Sequence, residues 1–111
     1  MVIPPERFRD EELFDTRAAL ERAGHSVVVS SARVGRCLGS RGGHAEAQTA
    51  IGSERARDYG AVVFVGGGSS KLLWDSPDAQ RLAREATAEG EVLGAICLAP
   101  VILARSGVLD G

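Results

Sequence analysis

Three runs of apolar residues carry no charge at all: Val27-Val28-Val29, Ala61 to Val65, and Val92 to Ile96. A strand that is apolar at every position has no face to offer to water, so it must be covered on both sides. Helical segments lie between these runs, and fully apolar strands alternating with helices predict a parallel sheet sandwiched between helices, the α/β class. Right-handed crossovers then bring the loops after Val65 and Ile96 to the same carboxyl edge of the sheet. Small ligands of α/β proteins bind at that edge, so the chemistry is expected there.

The connecting segments carry their own punctuation. Asp10 reads as an N-cap, with Glu11 and Glu12 in a first turn that favours acids, and Leu13, Leu20 and Ala23 recur at helical spacing before Gly24 closes the helix. Ser76-Pro77-Asp78 opens a second helix, with Ser as N-cap and Pro in the first position, and Gly90 ends it. A short third helix is expected from Ala99 to Arg105. The stretch from Arg33 to Arg57, with Gly35, Gly39, Gly42 and Gly43, reads as a hairpin or loop excursion. Met1-Val2-Ile3 reads as the tail of a strand that Pro4-Pro5 ends.

Length and composition fit one domain. The chain has 111 residues, 44% of them hydrophobic and 25% charged, an ordinary globular balance that argues against disorder. Thirteen basic against fifteen acidic residues leave a net charge of −2, with no basic cluster. Neither a nucleic-acid surface nor a polybasic membrane patch is therefore expected. The longest uncharged apolar run, Val92 to Ala104, is shorter than the roughly 20 residues of a membrane span. No secretory leader is legible at the start, and the two cysteines form neither a disulfide framework nor a CxxC pair. The expectation is a cytoplasmic protein with reduced thiols and no cofactor or metal.

Gly94-Ala95-Ile96-Cys97-Leu98-Ala99-Pro100 has the layout of a nucleophile elbow: a strand passing into a helix through one polar residue, with small Ala95 and Ala99 two positions to either side. A cysteine held there stands above the sheet edge, and the helix start favours its thiolate. Read from spacing alone, Cys97 is as readily a buried small apolar residue. Gly66-Gly67-Gly68 follows a buried strand and lets backbone amides approach an anion, although the spacing is that of no phosphate loop. Equally, it reads as a strand-to-helix turn. Local logic does not choose among Asp10, Glu11 and Glu12, any of which can serve the helix start. His25 reads as a cap residue exposed to solvent, His44 lies in the glycine-rich excursion without a partner, and Cys37 reads as an incidental thiol.

Together these residues resemble the DJ-1/PfpI family along essentially the whole chain. Phe8-Arg9-Asp10-Glu11-Glu12-Leu13 is similar to the family's first loop and helix start, and the count from its acid to the Ala23-Gly24 helix end selects Glu12. Asp58 to Gly67 is similar to its glycine-ended strand, and Ala95-Ile96-Cys97-Leu98-Ala99-Pro100 to its elbow. The resemblance implies a flavodoxin-like sandwich over residues 1–111, related to the class I glutamine amidotransferases and assembled as a homo-oligomer. It assigns Cys97 as nucleophile, Glu12 as the acid bonded to its sulfur, and the amides of Gly67 and Leu98 as oxyanion donors.

Leu98 departs from the peptidase-like members, which carry His at that position, so no local Cys-His pair is available. Compared with the family, the chain is short of the start of the first strand and of the elements beyond the elbow helix. The implied activity is cofactor-free turnover of small reactive carbonyls, glyoxalase-III-like or deglycase-like, with Cys97 adding to an aldehyde and Glu12 shuttling a proton. Two alternatives stand beside it: a PfpI-type cysteine peptidase or amidase, and a redox sensor or chaperone-like protein that uses oxidation of Cys97. Val101-Ile102-Leu103 in succession on one short helix also predicts self-association or an unstable fragment.

Overall fold

The structure is a computed structural model and describes residues 1–67 and 76–95. Helix α1 spans Asp10–Arg22 and α2 spans Pro77–Ala88. The strands are β1 Ser30–Ser31, β2 Gly35–Leu38, β3 His44–Ala47, β4 Thr49–Ala50, β5 Ala61–Phe64 and β6 Val92–Ala95. Two short 3-10 turns, Ile51–Ser53 and Ala56–Asp58, link β4 to β5.

One residue joins the parallel pairs into a single sheet. β1 pairs with β4 and β5 pairs with β6, both in parallel. Val2 makes parallel bridges to Ser30 on one side and Phe64 on the other. Its amide donates to Val63 O at 2.8 Å, while Ile3 N reaches Ser30 O at 2.9 Å. The spatial order is therefore β4, β1, the Met1–Ile3 segment, β5, β6. From the Val2 segment the chain first winds outward through β1 and β4, then returns to the other side of that segment for β5 and β6. The order reverses between the Val2 segment and β5, and such a switch opens a crevice outside the carboxyl ends of those two strands.

Both faces are covered, as fully apolar strands require. Val2, Val62 and Phe64 pack with Ala79, Leu82, Ala83 and Ala86 of α2. Ile3 and Val65, one residue further along the same segments, pack with Phe8, Leu13 and Val29 and with Cys37, Ala45 and Ala47 of the hairpin. Adjacent residues entering opposite clusters is the alternation of a strand. Each large side chain buried this way contributes roughly 1.5–3 kcal/mol. The excursion expected between Arg33 and Arg57 holds the antiparallel hairpin β2–β3, but its second half returns to the main sheet as β4 and the 3-10 turns, which the sequence reading did not foresee.

Two local expectations are corrected. Val27-Val28-Val29 is not the paired strand; pairing begins at Ser30, whose amide donates to Met1 O at 2.9 Å. The two buried serines fit because Ser31 Oγ donates to Ile3 O at 2.7 Å and Ser30 Oγ to Thr49 O at 3.1 Å. A buried hydroxyl costs little when it has such a partner. The N-cap of α1 is Arg9, with no side-chain cap, and Asp10 is the first helical residue. Its carboxylate is drawn instead to the hairpin. Ser76 does cap α2, its Oγ accepting from Ala79 N at 3.2 Å. The expected helix from Ala99 to Arg105, with Val101-Ile102-Leu103, lies outside the described residues.

Candidate functional site

The segment from Pro4 to Arg9 leaves the Val2 strand and crosses the crevice to reach α1. Arg7 there has φ +51°, a left-handed conformation uncommon outside glycine. It turns Phe8 between two neighbours: Phe8 bridges Gly39 of the hairpin in parallel and Gly67 in antiparallel fashion. Arg9 N donates to Gly66 O at 3.0 Å. The loop after β5 is thus stitched to the loop before α1.

Gly67 is the point of closest approach. It is buried, with φ +140°, and a Cβ there would overlap the Arg7 carbonyl oxygen and stand 2.7 Å from Phe8 Cα. Only glycine fits such a place, because both the torsion and the space forbid a side chain.

Glu12 completes the corner. Its side chain is 13% exposed, and Oε1 accepts a hydrogen bond from Gly66 N at 3.1 Å. Arg9 Nε stands 3.7 Å from Oε2 and bonds Glu11 Oε1 at 3.1 Å, and Arg41 Nε lies 3.6 Å from that same Glu11 oxygen. Of the three acids that local logic left open, Glu12 is the one turned to the glycine loop. Glu11 belongs to the arginine pair at the surface. Its carboxyl is held below the usual range first by its own amide at the helix start, against partial burial, and then by Arg41 and Arg9. Asp10 also lies below that range, chiefly through the Arg41 amide; burial opposes this and the Gly43 amide adds to it.

Glu12 is therefore bonded to the Gly66–Gly67 loop at the carboxyl edge of the sheet. Cys97 and Leu98 lie outside the described residues. The described part of β6 runs beside β5 with Ala95 opposite Phe64, so both strands end at the same edge of the sheet. Cys37 is 2% exposed, within the hairpin side of the core, and His25 and His44 are exposed. Among the described residues no three His, Cys, Asp or Glu side chains gather as metal ligands would. No helix among them is long and apolar enough to cross a membrane.

A concavity of about 400 Å³ opens at the opposite edge of the sheet, where β5 and β6 begin. Its walls include Leu20, Val27, Val28, Leu82 and Val92, and its acid, Glu54, accepts a hydrogen bond from Tyr59 Oη. Among the described residues no glycine loop or helix start with free acids faces it, so the crevice at the carboxyl edge is the better candidate.

Sequence reasoning missed the partnership of Asp10 with the hairpin turn. The signal was present as Gly39 and Gly43, glycines at which another group comes too close for a side chain.

Comparison with known proteins shows the family and the fold. The chain is 43% identical over 112 residues to an uncharacterized protein of Methanocaldococcus jannaschii, covering all of this chain and 55% of that protein. It is 28% identical over 111 residues to a deglycase of Pyrococcus abyssi, covering 67% of it. The crystal structure of a ThiJ/PfpI domain protein from Brachyspira murdochii superimposes with a TM-score of 0.94 at 32% identity, over 97% of this chain and 62% of that one. The chain thus spans little more than half the length of the M. jannaschii protein, and its fold is the flavodoxin-like α/β sandwich that the family resemblance implied, built on the parallel sheet that the alternation of strands and helices predicted. The sequence pattern of the DJ-1/PfpI family matches residues 1–111 throughout, and the chain belongs to that family.

Proposed function

We propose that the chain carries the active centre of a cofactor-free cysteine enzyme that acts on small reactive carbonyls, of the glyoxalase-III or deglycase kind. The observation that carries this reading is the Glu12 carboxylate, held 3.1 Å from the Gly66 amide in the switch-point crevice and next to buried Gly67. An acid fixed beside backbone amides at a strand end is an arrangement for moving protons near a developing oxyanion. The similarity to a P. abyssi deglycase supports the same class.

In this reading the Cys97 thiolate adds to the aldehyde carbon of methylglyoxal, forming a C–S bond and an alkoxide that takes up a proton. The amides of Gly67 and Leu98 face that oxygen. Glu12 removes the proton from the former aldehyde carbon and returns it to the neighbouring carbon. The ketone is thereby reduced while the hemithioacetal becomes a thioester. Water hydrolyses the thioester, releasing lactate and freeing Cys97. Oxidation and reduction cancel within the substrate, so no external electron carrier is needed. The functional assembly in this reading is a homo-oligomer, which sedimentation checks directly.

The test is incubation with methylglyoxal in D2O, following lactate by NMR and Cys97 adducts by mass spectrometry, with a peptide and peroxide as parallel substrates. Lactate carrying solvent deuterium or retained hydrogen, absent in Cys97→Ser, supports the reading. Peptide cleavage, or stable oxidation of Cys97 without lactate, overturns it.

A further inference from the structure

The tip of the β2–β3 hairpin is fastened to the start of α1 by one side chain. Asp10 is 9% exposed, and its Oδ1 accepts from Arg41 N at 3.0 Å while Oδ2 accepts from Gly43 N at 2.8 Å. The fit leaves no space on the turn. A Cβ on Gly39 would overlap the Asp10 carboxylate, and one on Gly43 would stand 2.5 Å from Oδ2 and 2.9 Å from the Phe14 ring. Gly39 N closes the turn onto Gly43 O at 2.7 Å.

The same turn holds the segment that forms the site. Phe8 N donates to Leu38 O at 3.3 Å, and Ser40 N donates to Phe8 O at 2.9 Å. Phe8 bridges Gly67 on its other side, and Gly66 N bonds Glu12. The contacts close a ring: Asp10 to the turn, the turn to Phe8, Phe8 to the glycine loop, the glycine loop to Glu12, and two residues back along α1 to Asp10. In such a ring the separation of two members is set by all the others.

We propose that Asp10 is a positioning residue for the site. By locking the hairpin turn onto α1, it fixes where Phe8 stands and hence the placement of the Gly66–Gly67 backbone against Glu12. It does not touch substrate. The proposal rests on the carbonyl reading only for its kinetic readout.

Two variants test it. Asp10→Asn keeps the shape and one acceptor oxygen, and Asp10→Ala keeps neither. In both, the amide resonances of Arg41 and Gly43 should move, because their acceptor is altered. If the ring transmits position, the amides of Gly66 and Gly67 move as well. With methylglyoxal, kcat should then fall by about tenfold to a hundredfold in Asp10→Ala, with KM within about twofold and Asp10→Asn in between. If Arg41 and Gly43 move while Gly66 and Gly67 keep their wild-type positions in Asp10→Asn, the proposal is overturned. Should the unmodified chain turn over no carbonyl, the carbonyl reading fails, and the Gly66 and Gly67 resonances still decide the role of Asp10.

Discussion

Glu12 and Gly66 stand in different halves of the described chain, yet the amide of one donates to the carboxylate of the other at 3.1 Å. Glutamine keeps an oxygen that can accept the same bond but cannot take up or release a proton in the same way. Glu12→Gln should therefore leave the fold and thermal midpoint close to wild type and lower carbonyl turnover by about a hundredfold or more. Glu11→Gln should cost far less. In the proposed reaction Glu12 and Cys97 act on one substrate, so Glu12→Gln with Cys97→Ser should be scarcely worse than either alone. Additive losses, or equal damage from Glu11→Gln, would show that the assignment of roles is wrong.

The two cysteines should separate by reactivity. Cys37 is 2% exposed, and its Sγ lies 3.9 Å from Gly35 O inside the hairpin core. A thiol buried among apolar side chains is inert. Limited iodoacetamide treatment at mildly acidic pH should label Cys97 well before Cys37, read by peptide mass spectrometry. Equal rates would sink the elbow assignment.

Gly67→Ala should be among the most damaging single-methyl additions in the chain. It combines a positive φ with overlap of the Arg7 carbonyl oxygen. Unlike a crowded side chain, this backbone neighbour has no rotamer to escape into. The expected loss is on the order of 3 kcal/mol, read from chemical denaturation. A loss below about 1 kcal/mol would mean that the loop opens readily.

The pH dependence should differ at the two ends of the scale. Burial and the hydrogen bond to Glu54 push the sole tyrosine, Tyr59, up to about 12. Its absorbance titration should lie well above the usual value near 10, and the stability it contributes is full below that value and lost as pH rises toward 12. On the acid side, burial pushes Glu85 up, but the Ala56 amide and the Arg81 guanidinium outweigh it and hold the carboxyl below its ordinary value. Arg81 Nη1 meets Glu85 at 2.6 Å and also donates to Glu54 O at 2.9 Å, so the pair pins α2 to the turns before β5. That stabilisation is present above the usual glutamate range and fades as pH falls through the lowered value. Glu85→Gln should flatten this acid limb of the stability curve; an unchanged limb would assign it to other carboxyls.

What could be read without coordinates was what local chemistry determines. Ser76-Pro77 announces its helix because the cap and the helix start are neighbours in sequence. Ala61 to Phe64 announces a buried strand because an uncharged apolar run has little to offer water, and Val62 and Phe64 are indeed buried while Ala61 at its start is exposed. Asp10 misled because the capping rule sees only nearby amides, whereas its partners are Arg41 and Gly43. Ser30 and Ser31 were passed over for the valines before them because their acceptors, Thr49 O and Ile3 O, come from neighbouring strands. Glu12 stood out from its neighbours through likeness to a family rather than through local rules, since three consecutive acids look alike until the glycine loop is placed beside one of them.

Val2 lies between Ser30 and Phe64 and is the only bridge described between the two halves of the sheet. Its second partner is made about sixty residues later, so during synthesis the strand at the centre of the fold emerges early and must wait. Loop-closure entropy works against so distant a pairing until much of the intervening chain is ordered. The carboxyl-edge crevice, which exists only between the Val2 segment and β5, is then among the last features of the molecule to form. Any condition that slows completion of the sheet leaves a nascent chain in which Glu12 has not yet met the Gly66 amide.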